Sequence, residues 1–523
     1  MLLLLFFAAA ACPLFAGGST EEGPGQKKRE FVVNLGGETA VLDPHRAATR
    51  GEYHIAGALF EGLFRFDGKT GKGKPGLALD WTTDEEGTTY TFTLRQASWS
   101  DGEPITADTV ARSWARALDP KVDSPHAWLL SSLIDKEGVR VIDTHRLQIQ
   151  LKAPVPYLED ILWHPAFAVV PMHVIERYGD QWTDLEHIAC NGPYLPEYEN
   201  GGDRLVLRVN NTYWDYKSTG FEKVVLLFEN DPEAAYRLFV QGKVDWNRVA
   251  APEAFEEIGA EEIREMEAFH ETVFNGTGFL LCNLDRKPLN NRGRRLYAAE
   301  TINPGEVENL IADAGRELSR ITPASTLLPP GLLDGGASPL QDNAEEQLER
   351  AVPSFQGALS LLLFEDPLWS KLASGIARLW RSKTGGEITV EEVDWDTYVK
   401  RLREGDFDLA VYSHTAEILD PAVFLDRFRT GAALNFSGFT GSDFNRLLEE
   451  AASMLPGYKR NGLLTRAEEV LLEEGIVIPL FHYTVYNMID LEKWRGWHEN
   501  MLDIHPFSAI SPPGALGPSA PPR

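Results

Sequence analysis

The chain has 523 residues, 43% of them hydrophobic and 24% charged, which suits a large globular protein built from more than one unit. Its 78 acidic residues against 50 basic ones leave a net charge of −28, which repels phosphate backbones and excludes nucleic acid as a natural partner. The same surplus does not announce a cationic ligand, because most of it belongs on solvated faces.

Leu2 to Ala11 is an unbroken run of Leu, Phe and Ala. It is too short to span a bilayer and reads as the apolar core of a secretory signal. Two processing routes stand open. Ala10-Ala11-Cys12 resembles a relaxed lipoprotein box with Cys12 as the lipidated residue; alternatively, residues 1–16 are removed by cleavage after Ala16. Either route exports the protein, with residues 17–29 as a flexible tether. No second apolar run of spanning length follows, and no repeat is evident.

Phe31 to Leu35 reads as a buried strand, and Tyr90 to Leu94 as another. Asp101-Gly102 marks a turn before a helix over Ala107 to Leu118, opened near Asp108. Leu147 to Leu151 alternates strictly, and Leu205 to Val209 and Lys223 to Phe228 are strand-like. Helical spacing runs over Ala235 to Gln241, Ala344 to Ala351, Leu368 to Ser382, Ser442 to Ala452 and Thr465 to Glu474. Ile388 to Val390, Asp408 to Tyr412 and Val477 to Phe481 are expected strands. This alternation predicts an α/β protein of more than one lobe, with residues 511–523, rich in Pro, Gly and Ser, as a disordered tail.

Catalytic signatures are missing: no metal-binding His-Glu-x-x-His, nucleophile elbow or P-loop occurs. Gly71 to Gly76 matches a dinucleotide pattern, but Pro75 lies inside it and a surface hairpin is the better reading. Cys190 and Cys282 fit no metal or redox spacing; they read as buried small hydrophobes, with a single disulfide as the alternative. His414 and His482 are candidate pocket residues, with a satisfied structural role as the plainer reading. No cofactor or metal is implied, and the absence of chemistry favours a binding protein over an enzyme.

One string of motifs is specific. It runs Leu79-Asp80-Trp81, Tyr90 to Arg95, Trp99-Ser100-Asp101-Gly102-Glu103-Pro104-Ile105-Thr106-Ala107-Asp108-Thr109-Val110, Ser113-Trp114 and Arg116. It resembles the signature of the family-five extracellular solute-binding proteins, the oligopeptide-, dipeptide- and nickel-binding components of ABC importers. The likeness extends through Leu42 to His45, Leu59 to Leu63, Asn191 to Tyr194, Asn211 to Asp215, Phe239 to Trp246, Asn283 with Lys287 to Asn290, and Ile478 to Tyr483.

The resemblance implies a two-lobed periplasmic-binding-protein fold of type II, a venus flytrap, with an additional third domain. Residues 30–50, 174–281 and 487–510 would form the first lobe, 51–173 the additional domain and 282–486 the second lobe. A peptide or other small solute would lie between the lobes of a monomer, for delivery to an ABC permease in the cytoplasmic membrane. Main-chain contacts map to Gly37, Glu38 and Thr39 on one side and Ser413, His414 and Thr415 on the other, near Tyr483. Glu417 matches the carboxylate that anchors a peptide's ammonium group.

The likeness breaks at that loop. The family's Gly-Trp-x-x-Asp-Tyr is here Ser413-His414-Thr415-Ala416-Glu417-Ile418, and Val411 and Trp369 stand where basic residues would meet a ligand carboxylate. A sugar derivative, opine or metal chelate is therefore an alternative ligand, and a degenerate surface interaction protein or sensor an alternative role.

Overall fold

The computed structural model describes residues 30–37, 41–198, 204–256, 258–314, 318, 320–333 and 357–514. The signal and tether with Cys12, the contact residues Glu38 and Thr39, the helix expected at 344–351 and residues 515–523 lie outside the described residues.

An eleven-stranded sheet runs through the molecule. From one end, Glu387–Val393, Ala358–Phe364 and Leu409–Thr415 pair in parallel and form the second lobe's share. Their inward residues are an almost continuous apolar run, as a parallel strand covered on both faces requires: Leu361, Leu362, Leu363, Leu409, Ala410 and Val411 are all buried. At the other end, Trp246–Val249, Glu30–Asn34 and Lys223–Leu227 pair in parallel, and Leu205–Val209 and Tyr194–Tyr198 extend the edge antiparallel. Two long antiparallel strands, Phe269–Cys282 and Val477–Ile489, join the halves. Ile321–Pro323 adds to the second of them.

A separate four-stranded antiparallel sheet, Ala78–Thr83, Thr89–Leu94, Arg146–Leu151 and Ile134–Asp143, is the additional domain's centre. Leu147, Ile149 and Leu151 turn inward from alternate positions. The helix Ala107–Ala117 covers it with Val110, Trp114 and Ala117. It starts at Ala107, as expected, behind a capping box in which Thr106 and Thr109 satisfy each other's backbone, so the cap is Thr106, two residues before Asp108. The two-lobed α/β fold with an added domain is as the resemblance implied.

Several expectations need correction. The strand expected to stop at Phe481 continues to Ile489, and Phe269–Cys282 was not anticipated at all. The helix expected from Thr465 begins at Tyr458. The hairpin expected at Gly71 to Gly76 is present: Lys72–Pro75 is its second strand, paired with Phe64–Asp67. Gly71 turns there with φ of +70°, and a Cβ on Gly73 would sit 2.0 Å from the Glu159 carbonyl oxygen. Cys190 and Cys282 are free and fully buried, so the disulfide alternative does not form. Ser511, placed in the tail by composition, exchanges both backbone hydrogen bonds with Arg495. Among the described residues no helix is long and apolar enough to cross a membrane.

Candidate functional site

The motif residues build a scaffold. Asn191 donates to the Glu61 carbonyl and accepts its N–H, both at 3.0 Å. Gly192 passes so close to helix Arg50–Leu59 that a Cβ would lie 2.6 Å from the Leu59 carbonyl carbon. The buried Glu61 carboxyl accepts from the Tyr213 hydroxyl and, at 2.8 Å, from Trp214 Nε1. Arg65 reaches Tyr213 at 3.0 Å and Asp215 at 2.9 Å, and Arg95 stacks on Trp214 at 3.5 Å. Arg116 grips Asp43 through bonds of 3.1 and 2.6 Å. These contacts fasten the added sheet to the first lobe with buried, paired polar groups.

Among the described residues, two long strands, Phe269–Cys282 and Val477–Ile489, cross between the lobes. Their pairing is interrupted between Val273 and Thr277. Asn275 occupies the gap: its N–H donates to Met501, and its amide donates to the Ala416 and Ile418 carbonyls at 3.1 and 2.8 Å. A short, locally unpaired stretch in a strand pair is where a lobe rotation can be absorbed.

Beside this crossing lies a cavity of about 310 Å³, walled by Gly36, Gly37, Asn230, Arg248, Thr484 and Tyr486 among others. Gly36 and Gly37 both have positive φ, +61° and +83°. Asn230 clasps Gly37 from both sides, accepting its N–H at 2.6 Å and donating to its carbonyl at 3.1 Å. Arg248 donates to the buried Asp503 at 2.8 Å. Burial pushes that carboxyl up, but Arg248 and His505 outweigh it and hold it well below the usual range.

The contact segment expected on the second lobe is the end of Leu409–Thr415, which does not line this cavity. Ser413, His414 and Thr415 pair with Gly278, Thr277 and Gly276 along one edge. Along the other edge the neighbouring strand pairs only at Leu409 and Ala410, so among the described residues nothing pairs with positions 413 to 415 there. That leaves main-chain donors and acceptors of an extended segment free. Thr415 is exposed, while Ser413 and His414 are half-buried.

The expected site residues fall in distinct places. His414 packs its ring edge on Phe424 at 4.7 Å, and its Nδ1 accepts from Arg427. Burial, reinforced by the Arg427 charge, holds the imidazole neutral. Tyr483 stands edge-on to Phe481 at 5.1 Å, beside Gly276. Burial raises its hydroxyl while Ser413 pulls the other way. His482 is a satisfied core residue, bonded to Thr277 at 2.9 Å, and burial lowers it to about 4. Val411 and Trp369 are core residues as well, the latter packed on Phe481 at 5.1 Å. Glu417 forms an ion pair with Arg50 at 2.6 Å, both side chains about 15% exposed or less. Burial pushes the Glu417 carboxyl up, but His164, 3.7 Å away, and the Arg50 charge outweigh it and hold it at about 2. Sequence reasoning did not foresee Arg50 or Arg427; both sit in short polar stretches that read as surface. No group of His, Cys, Asp or Glu among the described residues could hold a metal ion.

The bacterial extracellular solute-binding proteins, family 5 (Middle), match residues 72–436. The chain is 28% identical to the probable deoxycholate-binding periplasmic protein YgiS of Escherichia coli, over 93% of this chain and 94% of that one. It is 27% identical to the periplasmic oligopeptide-binding protein OppA of E. coli, over 90% of each chain. The open, unliganded form of the periplasmic murein tripeptide binding protein MppA superimposes with a TM-score of 0.80 at 26% identity, covering 93% of this chain and 98% of that one. The chain belongs to the family-5 bacterial extracellular solute-binding proteins.

Proposed function

We propose that this protein captures peptides in the cleft between its lobes, outside the cytoplasmic membrane, and delivers them to an ABC permease. The observation that carries this reading is the edge of Ser413 to Thr415, which is left unpaired among the described residues; in the proposed cleft it would stand opposite Gly36 and Gly37. An extended peptide can add to such an edge through main-chain hydrogen bonds that ignore its side chains. The names of relatives that bind oligopeptides and murein tripeptide support the same ligand class. It works as a monomeric receptor without catalysis or cofactor. Residues 30–50, 174–281 and 487–510 act as the first lobe, 282–486 as the second and 51–173 as the fixed additional domain.

Export proceeds through the N-terminal apolar segment, ending either in a lipid anchor at Cys12 or in cleavage after Ala16. Intact mass of the exported protein separates the two, since a lipidated Cys12 adds the mass of acyl chains. Native mass spectrometry of protein purified from cells tests the ligand. Release of a ladder of short peptides on denaturation is expected. A single non-peptide mass would replace the peptide reading with one nearer to the deoxycholate-binding relative.

A further inference from the structure

Arg50 touches three parts of the molecule where they meet. Its guanidinium holds Glu417 of the second lobe at 2.6 Å, with the two side chains 14% and 15% exposed. His164 of the added domain lies 3.7 Å from the same carboxylate. The guanidinium also lies over the Tyr53 ring at 5.2 Å and the Phe274 ring at 5.1 Å. Phe274 belongs to the interruption between Val273 and Thr277. The carbonyls on either side of Glu417, those of Ala416 and Ile418, accept from Asn275 in the same gap. The ion pair therefore sits at the crossing of the lobes itself.

The Arg50 end of the pair is firmly mounted. It opens a helix whose capping box joins Thr49 and Glu52. His54 Nε2 accepts the His505 N–H at 3.0 Å, so the ring proton is on Nδ1, which donates to the Arg50 carbonyl at 2.7 Å. His505 meets Asp503 at 3.2 Å, and Arg248, on the cavity wall, holds Asp503 at 2.8 Å. All of these groups lie in the first lobe or in the added domain fastened to it.

The lobes stand apart in this arrangement. None of Ser413, His414 and Thr415 lines the cavity beside Gly36 and Gly37. The open, unliganded MppA superimposes with a TM-score of 0.80 and a second MppA structure with 0.67, each at 26% identity. The ion pair is thus complete and shielded while the cleft is open. A contact that is stronger in one arrangement than in another favours the first by that difference.

We infer that Arg50 is a clasp for the open receptor: it holds Glu417 while the cleft stands open, and closure of the second lobe on a ligand pulls the pair apart. This rests on a cleft that closes between the lobes, and not on which ligand fills it. Attraction between the two charges falls as they separate and water enters between them, so the clasp opposes closure. Apparent Kd varies inversely with the population of the binding-competent form, so releasing the clasp tightens binding by the factor by which the closed population rises.

Single-molecule energy transfer in the exported protein tests this, with dyes at Lys243→Cys on the first lobe and Lys400→Cys on the second. Both positions are exposed, whereas Cys190 and Cys282 are buried and stay unlabelled. Without ligand, Arg50→Met should raise the closed-to-open ratio about fivefold or more, and Arg50→Lys less. Arg50→Met combined with Glu417→Leu strands no charge and should raise the ratio as well; it decides if Arg50→Met alone does not fold. Calorimetric titration with di-, tri-, tetra- and penta-alanine should give a Kd for Arg50→Met lower than that of the parent by the same factor. An unchanged ligand-free ratio in both neutral variants, or a shift toward the open form, overturns the clasp and leaves the peptide reading standing. If the ratio rises as expected but no alanine peptide binds any form, the clasp stands and the peptide reading falls.

Discussion

The added four-stranded domain meets its two neighbours through junctions of different construction. Toward the first lobe the contact is dense and polar: Glu61 with Tyr213 and Trp214, Arg65 with Asp215, and Arg116 with Asp43. Toward the second lobe it is thinner. Leu419 packs against Gly71, where a Cβ would come within 2.4 Å of it, and His164 lies 3.7 Å from Glu417, the same carboxylate that Arg50, at the end of the first lobe's opening segment, holds at 2.6 Å. A network of many buried partners has one arrangement and resists partial opening, whereas an ion pair and an apolar contact can be made and broken as units. The difference predicts which surfaces move: the added domain and the first lobe should behave as one body, with the second lobe turning against it about the interruption at Asn275.

Breaking the dense junction should have the largest effect. Glu61→Ala leaves the Tyr213 hydroxyl, Trp214 Nε1 and part of the Arg65 charge without an acceptor in a buried site. A loss of about 3–5 kcal/mol in urea unfolding is expected, as for removal of one member of a buried polar network. Ligand affinity of the fraction that remains folded should change less than about threefold, because nothing in this network lines the cleft wall. A large affinity change with little loss of stability would sink the idea of one rigid body.

The thin junction should respond differently. Glu417→Ala strands Arg50 against Tyr53 and Phe274 and should cost about 3 kcal/mol. Removing both charges in Arg50→Met with Glu417→Leu should recover most of that, since an apolar pair of similar size is often as stable as a buried ion pair. Acid provides an independent check. The folded-state pKa of Glu417 is depressed from 4.5 to about 2, so its stabilisation is present above pH 4.5 and is lost as pH falls toward 2. Glu417→Gln should remove that part of the acid dependence.

The contrast also explains what could be read in advance. The motif string identified the family because several of its residues answer buried, specific demands: Asn191 both donates to and accepts from the Glu61 backbone, and Gly192 leaves no room for a Cβ. Those positions are scaffold, which is why the fold was legible and the ligand was not. If, as proposed, the cleft offers main-chain groups at Ser413 to Thr415, it leaves no side-chain signature. The strand Phe269–Cys282 escaped notice because its alternation breaks at the interruption and two glycines, Gly276 and Gly278, stand where apolar residues would mark the inner face. Arg427, within Asp426-Arg427-Phe428-Arg429, looks like an exposed charged turn until its neighbours are seen to pair elsewhere.

The smallest expected effect lies wholly inside the second lobe and tests whether that lobe unfolds on its own. Glu468, on helix Tyr458–Glu473, accepts the Leu328 N–H at 2.8 Å and is almost fully buried. Burial pushes its carboxyl up to about 7, against the pull of the Leu327 and Leu328 amides. An acid whose folded pKa is raised binds its proton more tightly in the folded state. Its contribution is therefore fully present below pH 4.5, declines as pH rises, and is gone above about 7. Glu468→Gln keeps the shape and the acceptor but cannot ionise. It should change stability little at pH 4.5 and raise it by about 2–3 kcal/mol above pH 7. In calorimetry, two transitions of which only one gains this pH response would mean that the second lobe melts separately. A response shared by a single transition would mean that the two crossing strands couple the lobes too tightly for the thin junction to act alone.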